Sequence, residues 1–177
     1  MKKKFTCKII SHNKIDSFIL NSIVQLKDVC WPHGIQSQME WINNNIKPND
    51  IHVCIFDGDV IIGYCDLIDD FFTYKETNIP FYGIGNLCVN PEYRKKGIGS
   101  FLLKKCLNIG KKDNKSCLLL CKDENNYLYY LKNGCISFDE YNPRIIIGDV
   151  EKKVHLLLLN PTFEIKSFMT IVFGRNF

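Results

Sequence analysis

A basic segment with two glycines, near the middle of the chain, has the composition of a phosphate-binding site. Residues 91 to 100 read Pro-Glu-Tyr-Arg-Lys-Lys-Gly-Ile-Gly-Ser and follow an apolar stretch that ends at Val89. The pattern predicts a strand, a turn and the start of an amphipathic helix. Backbone N–H groups at a helix N-terminus attract anions, and Gly97 and Gly99 let a pyrophosphate approach the backbone. The segment therefore predicts a phosphate cradle.

Two common nucleotide sites do not fit this segment. A P-loop needs Lys-Ser or Lys-Thr after its second glycine, whereas Gly99 is followed by Ser100 and Phe101. A dinucleotide fingerprint needs a third glycine three positions after the second, and residue 102 is leucine. The phosphate must therefore belong to another kind of ligand.

The segment and its surroundings resemble the acyl-CoA site of the GNAT superfamily of N-acyltransferases. The resemblance is carried by a strand ending in Leu-x-Val-x-Pro, by the spacing Arg94-x-x-Gly97-x-Gly99 and by the apolar helix that follows. The order of predicted elements agrees with it over residues 5 to 159. It implies an α/β (α+β) fold in one domain, with a mixed central sheet of about seven strands, splayed at strands 4 and 5 and flanked by about four helices.

The same resemblance implies an N-acetyltransferase that moves an acetyl group from acetyl-CoA, its co-substrate, to a primary amine by direct attack. Backbone groups of one strand would pair with the pantetheine arm, and amides of the cradle would meet the pyrophosphate. The binding residues so implied are Leu87, Cys88, Val89, Arg94, Lys95, Lys96, Gly97, Ile98, Gly99, Ser100 and Asn126. Whether Lys95 and Lys96 reach the 3′-phosphate or point into water is left open by the sequence.

A second family element is a tyrosine four residues before the glycine that ends the last helix. The family pattern Asn-x-x-Phe-Tyr-x-x-x-Gly-Phe matches here at Asn126 and Tyr130, with Tyr129 in place of the Phe and Cys135 in place of the last aromatic. The resemblance implies that Tyr130 protonates the departing CoA thiolate. A phenol is a suitable donor because its unperturbed pKa of about 10 lies above the pKa of a thiol, about 8.5. A packing aromatic is the alternative interpretation, and Tyr129 takes the role if the helix is shifted.

The general base is not indicated by the resemblance. Residues 82 to 86 read Tyr-Gly-Ile-Gly-Asn, where some relatives carry a glutamate on the central strand. A water chain is one alternative, and an acid in the loop expected beside the acceptor is another; the candidates are Asp66, Asp69, Asp70 and Glu76. Such acids would favour a cationic acceptor, although a solvated acidic loop explains them equally well. Trp31 and His33 are expected at the acceptor mouth.

Nine cysteines are expected to be reduced, since their number is odd and no Cys-x-x-Cys pair occurs. His52-x-Cys54 lacks further ligands, so no metal site is expected. A covalent relay through Cys88 or Cys121 is disfavoured because neither cysteine has a histidine nearby in the sequence.

The bulk composition indicates one globular domain with a mild net charge of +4. We expect the domain to span residues 5–159 and residues 160–177 to form a tail that packs on it or lies at an interface. The lysines are dispersed, which argues against nucleic acid, and no signal peptide or membrane span is expected. The predicted setting is the cytosol, with a small-molecule amine as partner and a homodimer left open. A catalytically silent module that binds CoA or a protein is the alternative function.

The predicted elements follow from hydrophobic periodicity and from turn residues. Strands are predicted at Phe5–Ile10, Ile51–Ile55, Val60–Ile68, Phe81–Val89, Cys117–Cys121, Ile136–Tyr141 or Ile145–Ile147, and Val154–Leu159. Asn13 is predicted to cap the first helix, with Asp16 three residues on, and a short second helix ends before Pro48. Later helices are predicted at 97–109 and 125–132, the latter ended by Gly134, and a polar loop at 69–80.

Overall fold

The computed structural model of the chain describes residues 5–74, 77–163 and 170–174. The described residues form ten strands and four α-helices, in the order β1 (Thr6–Ser11), α1 (Ser17–Cys30), α2 (Ile35–Asn45), β2 (Ile51–Asp57), β3 (Val60–Tyr74), β4 (Thr77–Val89), α3 (Ile98–Asp113), β5 (Ser116–Cys121), α4 (Glu124–Lys132), β6 (Ile136–Ser137), β7 (Arg144–Ile147), β8 (Val150–Lys152), β9 (His155–Leu159) and β10 (Thr170–Phe173). Contacts within the chain define two compact units. Unit 1 comprises Met1–Ile68 and Gly85–Cys106, and unit 2 comprises Asp69–Ile84 and Leu107–Phe177.

Unit 1 is built on antiparallel strands and the first two helices. β1 pairs with β2, and β2 pairs with β3 across a hairpin at Asp57 and Gly58. Apolar side chains from strands and helices are fully buried together, among them Ile23, Val24, Ile42, Val53, Ile55, Ile62 and Leu102. The period-2 and helical patterns of the sequence therefore place their apolar faces as expected.

The first helix begins at a different cap from the one predicted. Asn13 lies in a short 3-10 turn, and Asp16 caps α1 by accepting a hydrogen bond from the Ile19 amide at 2.8 Å. Both residues are good capping types, so local sequence could not choose between them. The turn at His12–Lys14 is instead fixed by its amides, since those of His12 and Asn13 donate to the carbonyls of Asp50 and Pro48.

Unit 2 contains a sheet in the order β6-β9-β5-β4-β3-β10-β7-β8, to which β3 and β4 contribute the parts that belong to this unit. β4 pairs with β5 in parallel, β5 pairs with β9 antiparallel, and β10 pairs with β7 in parallel. The predicted mixed α/β class is thus confirmed, with ten strands in the described residues rather than about seven. No helix among those residues is long and apolar enough to span a membrane.

The predicted loop at 69–80 is wrong. β3 continues to Tyr74 and β4 already begins at Thr77, while Glu76 lies outside the described residues. Phe72 is buried in a cluster with Phe81 and Phe173, and it is the ladder partner of Phe173. That partner lies far away in the sequence, in the segment predicted as a tail, so no local pattern announced the pairing. Residues 164–169 and 175–177 of that segment also lie outside the described residues, and the domain boundary at 159 stays a prediction.

The ladder between β4 and β5 is short. It covers Phe81–Gly83 against Ser116–Leu118, although β4 continues to Val89 and β5 to Cys121. This early end of the pairing matches the expected splay of these two strands.

The assignment of the α1 cap gives a direct test. Asp16→Ala is expected to lower the free energy of unfolding by about 1 kcal/mol, because the Ile19 amide loses its acceptor. Asn13→Ala is the matched control and is expected to leave the stability nearly unchanged. Equal losses for the two variants in chemical denaturation would contradict the assignment.

Candidate functional site

The basic segment forms a tight turn that leads directly into α3. Lys95 and Gly97 both have left-handed backbone conformations, with φ values of 60° and 80°. α3 begins at Ile98, and its first intrahelical bond runs from the Phe101 amide to the Gly97 carbonyl at 2.9 Å. Gly97 thus occupies the capping position and has no side chain to offer to the first amides of the helix. The caps of α1 and α4 are aspartates, and α2 also begins at a glycine of positive φ, Gly34, but no lysine or arginine directly precedes it. The start of α3 is therefore suited to an external anion.

The side chains of the basic run stabilise the turn itself. The Arg94 Nε donates to the Val89 carbonyl at 3.2 Å. The Lys96 ammonium donates to the Glu92 carbonyl at 2.9 Å and lies 4.8 Å from the centre of the Tyr93 ring. Lys96 is therefore folded back onto its own turn. Lys95 is exposed, and its backbone has the strained left-handed conformation.

The strand before the turn is irregular at Asn86. Asn86 in β4 has a left-handed backbone with φ of 47°, a conformation that asparagine tolerates better than most residues. Its side-chain amide donates to Oδ2 of Asp66 at 2.6 Å. Leu87, Cys88 and Val89 follow at once, and the Asn90 amide then returns to the Ile62 carbonyl at 2.9 Å. The predicted pantetheine strand is thus anchored to β3 on both sides.

A continuous chain of polar side chains crosses the interior of unit 1. Nδ1 of His12 lies 2.9 Å from Nε2 of His52, and Nδ1 of His52 lies 2.8 Å from the Tyr64 hydroxyl. That hydroxyl donates to Oδ2 of Asp66 at 3.2 Å. His52, Tyr64 and Asp66 have no exposed surface, while His12 is half-buried. The chain therefore links a buried carboxylate to a partly exposed imidazole.

Burial shifts the protonation equilibria along this chain. Desolvation raises the pKa of Asp66 to about 6, against the donors Asn86 and Tyr64 and the charge of Lys27, all of which lower it. Desolvation also lowers the pKa of His52 to about 4, with the nearby His12 adding to the effect. It lowers the pKa of the buried Lys27, whose ammonium lies 4.1 Å from the centre of the Trp41 ring. At neutral pH His52 is neutral and Asp66 is ionised.

Two thiols meet behind the predicted pantetheine strand. The Cys30 thiol lies 3.5 Å from the Val89 carbonyl. A hydrogen bond with Cys88 and the neighbouring Arg94 guanidinium lower the pKa of Cys30 to about 7. The shared bond with Cys30 and burial raise the pKa of Cys88 well above its usual range. A thiolate at this position therefore resides on Cys30, which the sequence did not single out, and not on Cys88.

Tyr130 and Asn126 belong to unit 2, whereas the other predicted CoA-binding residues, Leu87–Val89 and Arg94–Ser100, belong to unit 1. Both lie on α4, which Asp123 caps through the Asn126 amide at 2.9 Å. The predicted end of α4 at Gly134 is confirmed by its φ of 86°. The Cys135 amide bonds to the Tyr130 carbonyl and the Gly134 amide to the Leu131 carbonyl, which is the Schellman arrangement. Tyr130 is thus held in the last turn of the helix.

The cysteine relay gains no support at Cys121. His155 lies opposite Cys121 in the β5–β9 ladder, so a histidine is present that the sequence did not place there. Its Nδ1, however, lies 2.6 Å from Oδ2 of Asp139. Burial and the charges of Asp139, Asp123 and Glu124 raise the pKa of Cys121 to about 11. The thiol is therefore protonated at neutral pH and is a poor nucleophile.

The four candidate acids do not form a shared loop. Asp66, Asp69 and Asp70 all lie on β3, and Glu76 lies outside the described residues. Asp69 is paired with the Lys115 ammonium, and Asp70 accepts a hydrogen bond from the Phe71 amide. Of the three on β3, Asp66 is the one that is fully buried. Trp31 and His33 lie exposed in the turn between α1 and α2.

Sequence reasoning missed the role of His52 and Tyr64. Both alternate with apolar residues on strands that read as buried, and a polar side chain on such a strand needs a partner. That pattern was the available signal, but it could not identify the partner. Among the described residues, no group of three or more His, Cys, Asp or Glu side chains is placed to hold a metal ion.

Comparison with known proteins gives a family and a fold. The family described as "Acetyltransferase (GNAT) family" matches residues 20–134. YhbS, a GNAT family N-acetyltransferase from Escherichia coli solved in complex with CoA, superposes with a TM-score of 0.64 at 11% identity, covering 98% of this chain and 93% of that one. An acyl-CoA N-acyltransferase from Pseudomonas aeruginosa gives 0.62 at 14% identity, covering 88% and 98%.

An aminoglycoside 6'-N-acetyltransferase complexed with coenzyme A is also similar. It has a TM-score of 0.61 at 16% identity, and the match covers 85% of this chain and 94% of that one. No curated protein matches the sequence. At these identities the solved structures bear on the fold, and they agree with the mixed sheet and four helices described above.

The raised pKa of Asp66 predicts a pH-dependent stability. The folded state holds this proton up to about pH 6, whereas an unburied aspartate releases it near 3.8, so stability falls as the pH rises through that window. The side chain introduced by Asp66→Asn does not titrate. The unfolding free energy of this variant minus that of the wild type should therefore rise by about 3 kcal/mol between those pH values and then level off. Denaturant unfolding across this range measures it, and a constant difference would contradict the assignment.

Proposed function

Because this chain belongs to the acetyltransferase (GNAT) family, we propose that it transfers an acetyl group from acetyl-CoA to a primary amine. The observation that carries the proposal is the start of α3, where a glycine in a left-handed conformation replaces a side-chain cap behind three cations. Helix N-termini and close glycine backbone are the physical requirements for binding a pyrophosphate.

In the proposed complex the pyrophosphate meets the amides from Arg94 to Ser100. The pantetheine arm runs along the backbone of Leu87, Cys88 and Val89 as an added strand. The Val89 carbonyl is already shared by Arg94 and Cys30, so this end of the strand is fixed before the donor arrives. A preorganised backbone costs less conformational entropy on binding than a mobile one.

The proposed chemistry is direct transfer. A neutral amine attacks the thioester carbonyl, the C–N bond forms, and an amide near Cys88 stabilises the oxyanion. The C–S bond then breaks, and Tyr130 gives its proton to the CoA thiolate. The nitrogen loses one N–H proton as the amide forms, and that proton restores the Tyr130 hydroxyl. The role of Tyr130 rests on its place in the family pattern and on its fixed position in the last turn of α4. The raised pKa values of Cys88 and Cys121 support this route over a covalent cysteine intermediate.

The proposed acceptor is a small molecule with a primary amine. One structurally similar enzyme is an aminoglycoside 6'-N-acetyltransferase, which makes an amino group on a small molecule a reasonable acceptor class. None of the nine cysteines, all of which lie in the described residues, forms a disulfide bond, which fits a reducing compartment, and we propose the cytosol.

The donor assignment is tested by acetyl-CoA binding and by thiol release across a panel of primary amines. Gly97→Ala is expected to weaken acetyl-CoA binding at least tenfold, because an alanine at this backbone conformation is strained and crowds the anion. Gly58→Ala is the matched control, since Gly58 has a similar φ of 61° in the β2–β3 hairpin. Acetyl-CoA binding without turnover on any amine would favour the silent module.

The acid assignment is tested by two neighbouring tyrosines. Tyr130→Phe is expected to lower kcat about 100-fold with little change in the KM for acetyl-CoA, because only the leaving thiolate loses its proton donor. Tyr129→Phe is the control on the adjacent position and is expected to retain most of the activity. The reverse result would transfer the role to Tyr129.

A further inference from the structure

We propose that Asp66 is the proton acceptor for the attacking amine, and that Tyr64, His52 and His12 carry the proton onward to solvent. This inference rests on the proposed acetyl transfer and supplies the base that the family resemblance did not indicate. The observation behind it is an unbroken set of side-chain contacts in unit 1. These contacts run from His12, which is half-buried, to the carboxylate of Asp66.

The first argument is the unequal state of the two carboxylate oxygens. Oδ2 of Asp66 accepts from Asn86 and from Tyr64. Oδ1 is buried and has no hydrogen-bond partner among the residues that the structure describes. A buried carboxylate oxygen without a partner is costly, and a bound water or ligand normally satisfies it. We therefore assign Oδ1 to one water that stands between Asp66 and the amine.

The second argument is the position of Asp66 in unit 1. Asn86, which bonds to it, directly precedes the strand assigned to pantetheine, and the charge of Asp66 is felt by the Cys88 thiol. The other groups that face the carboxylate are Tyr64 on β3, Lys27 on α1 and Asp50 before β2. Lys27 favours the ionised form and Asp50 opposes it. The carboxylate that would accept the proton therefore lies beside the strand that would present the thioester.

The proton balance requires such an exit. An ammonium and acetyl-CoA give an amide, free CoA and one proton, so one proton must leave the site in each cycle. In the proposed path an N–H bond of the ammonium breaks, and the water passes a proton to Oδ1. The protonated carboxyl group then rotates so that its O–H faces Tyr64, and the Tyr64 hydroxyl hydrogen turns from Asp66 to Nδ1 of His52. Asp66 gives its proton to the Tyr64 oxygen, Tyr64 gives its own to Nδ1 of His52, and His52 gives the proton on Nε2 to Nδ1 of His12. At each link one bond to hydrogen breaks and one forms. Tyr64 and His52 are therefore both neutral after the transfer.

If the contacts from His12 to Asp66 only stabilised the fold, a different result would be expected. Their loss would lower the stability and would slow the acetylation of all amines alike. A proton acceptor matters only for amines that are protonated at the assay pH. The measurement that distinguishes the two roles is therefore how the loss of kcat in a variant depends on the basicity of the amine substrate.

The experiment measures thiol release from acetyl-CoA with ethylamine and with the much less basic trifluoroethylamine, together with kcat across pH 5 to 9. For the wild type we expect kcat with ethylamine to fall as the pH drops through about 6, because Asp66 must be ionised to accept a proton. Asp66→Asn should lower kcat with ethylamine about 100-fold and remove the fall in kcat at low pH. The loss with trifluoroethylamine should be only a few-fold, and the KM for acetyl-CoA should stay unchanged.

Tyr64→Phe and His12→Gln test the exit while Asp66 is kept. Tyr64→Phe also removes a donor to Oδ2 of Asp66, whereas His12→Gln leaves both donors to that oxygen in place. Each is expected to lower kcat with ethylamine about tenfold and to spare trifluoroethylamine. Tyr82→Phe is the matched control, because it removes an equivalent bond of 2.8 Å from a tyrosine hydroxyl to Asp113 in unit 2. It should leave the ratio of the two rates unchanged.

Two failures can be told apart. A wild-type protein that binds acetyl-CoA but acetylates neither amine nor any member of the panel overturns the proposed function, and this inference with it. A wild-type protein that is active while Asp66→Asn, Tyr64→Phe and His12→Gln slow both amines equally, or neither, overturns only the proton path.

Discussion

The burial of one carboxylate constrains the polar interior of unit 1. Asp66 has no exposed surface, and an ionised carboxylate in that position is costly unless donors surround it. Tyr64 and Asn86 supply those donors from β3 and from β4. The bond is made by Asn86 itself, the residue of β4 that has a left-handed backbone. The irregular strand and the turn that follows it therefore depend on a polar contact inside the core.

The turn before α3, where we propose that the pyrophosphate binds, carries backbone strain. Lys95 has a left-handed backbone that a lysine rarely adopts. The contacts of Arg94 and Lys96 with nearby carbonyls offset this strain and keep the turn closed. The cations therefore have a structural role in addition to their attraction for phosphate. Their side chains alone would not have revealed this, because a basic run in a sequence indicates charge and not the carbonyls it bonds to.

Several groups in unit 1 have chemistry that only their neighbours create. Cys30 and Cys88 are the same residue type, yet the pKa of one is lowered and that of the other is raised, because they share a hydrogen bond beside Arg94. His52 is kept neutral by burial, whereas the neighbouring His12 reaches the surface. These differences arise from residues separated by tens of positions in the chain. A pattern read along the sequence could not have assigned them.

The sequence by itself determined the family, the mixed sheet and the helix that begins behind Gly97, because these depend on local features: an apolar strand, a glycine at a positive φ and a helical period. It also located α4 and its end at Gly134, since a C-terminal glycine acts over one turn. Only the tertiary structure decided that residues 69–80 are largely strand, because Phe72 pairs with Phe173. Only the tertiary structure, too, separated Asp66 from the other acids, because burial and hydrogen-bond partners come from residues distant in the chain.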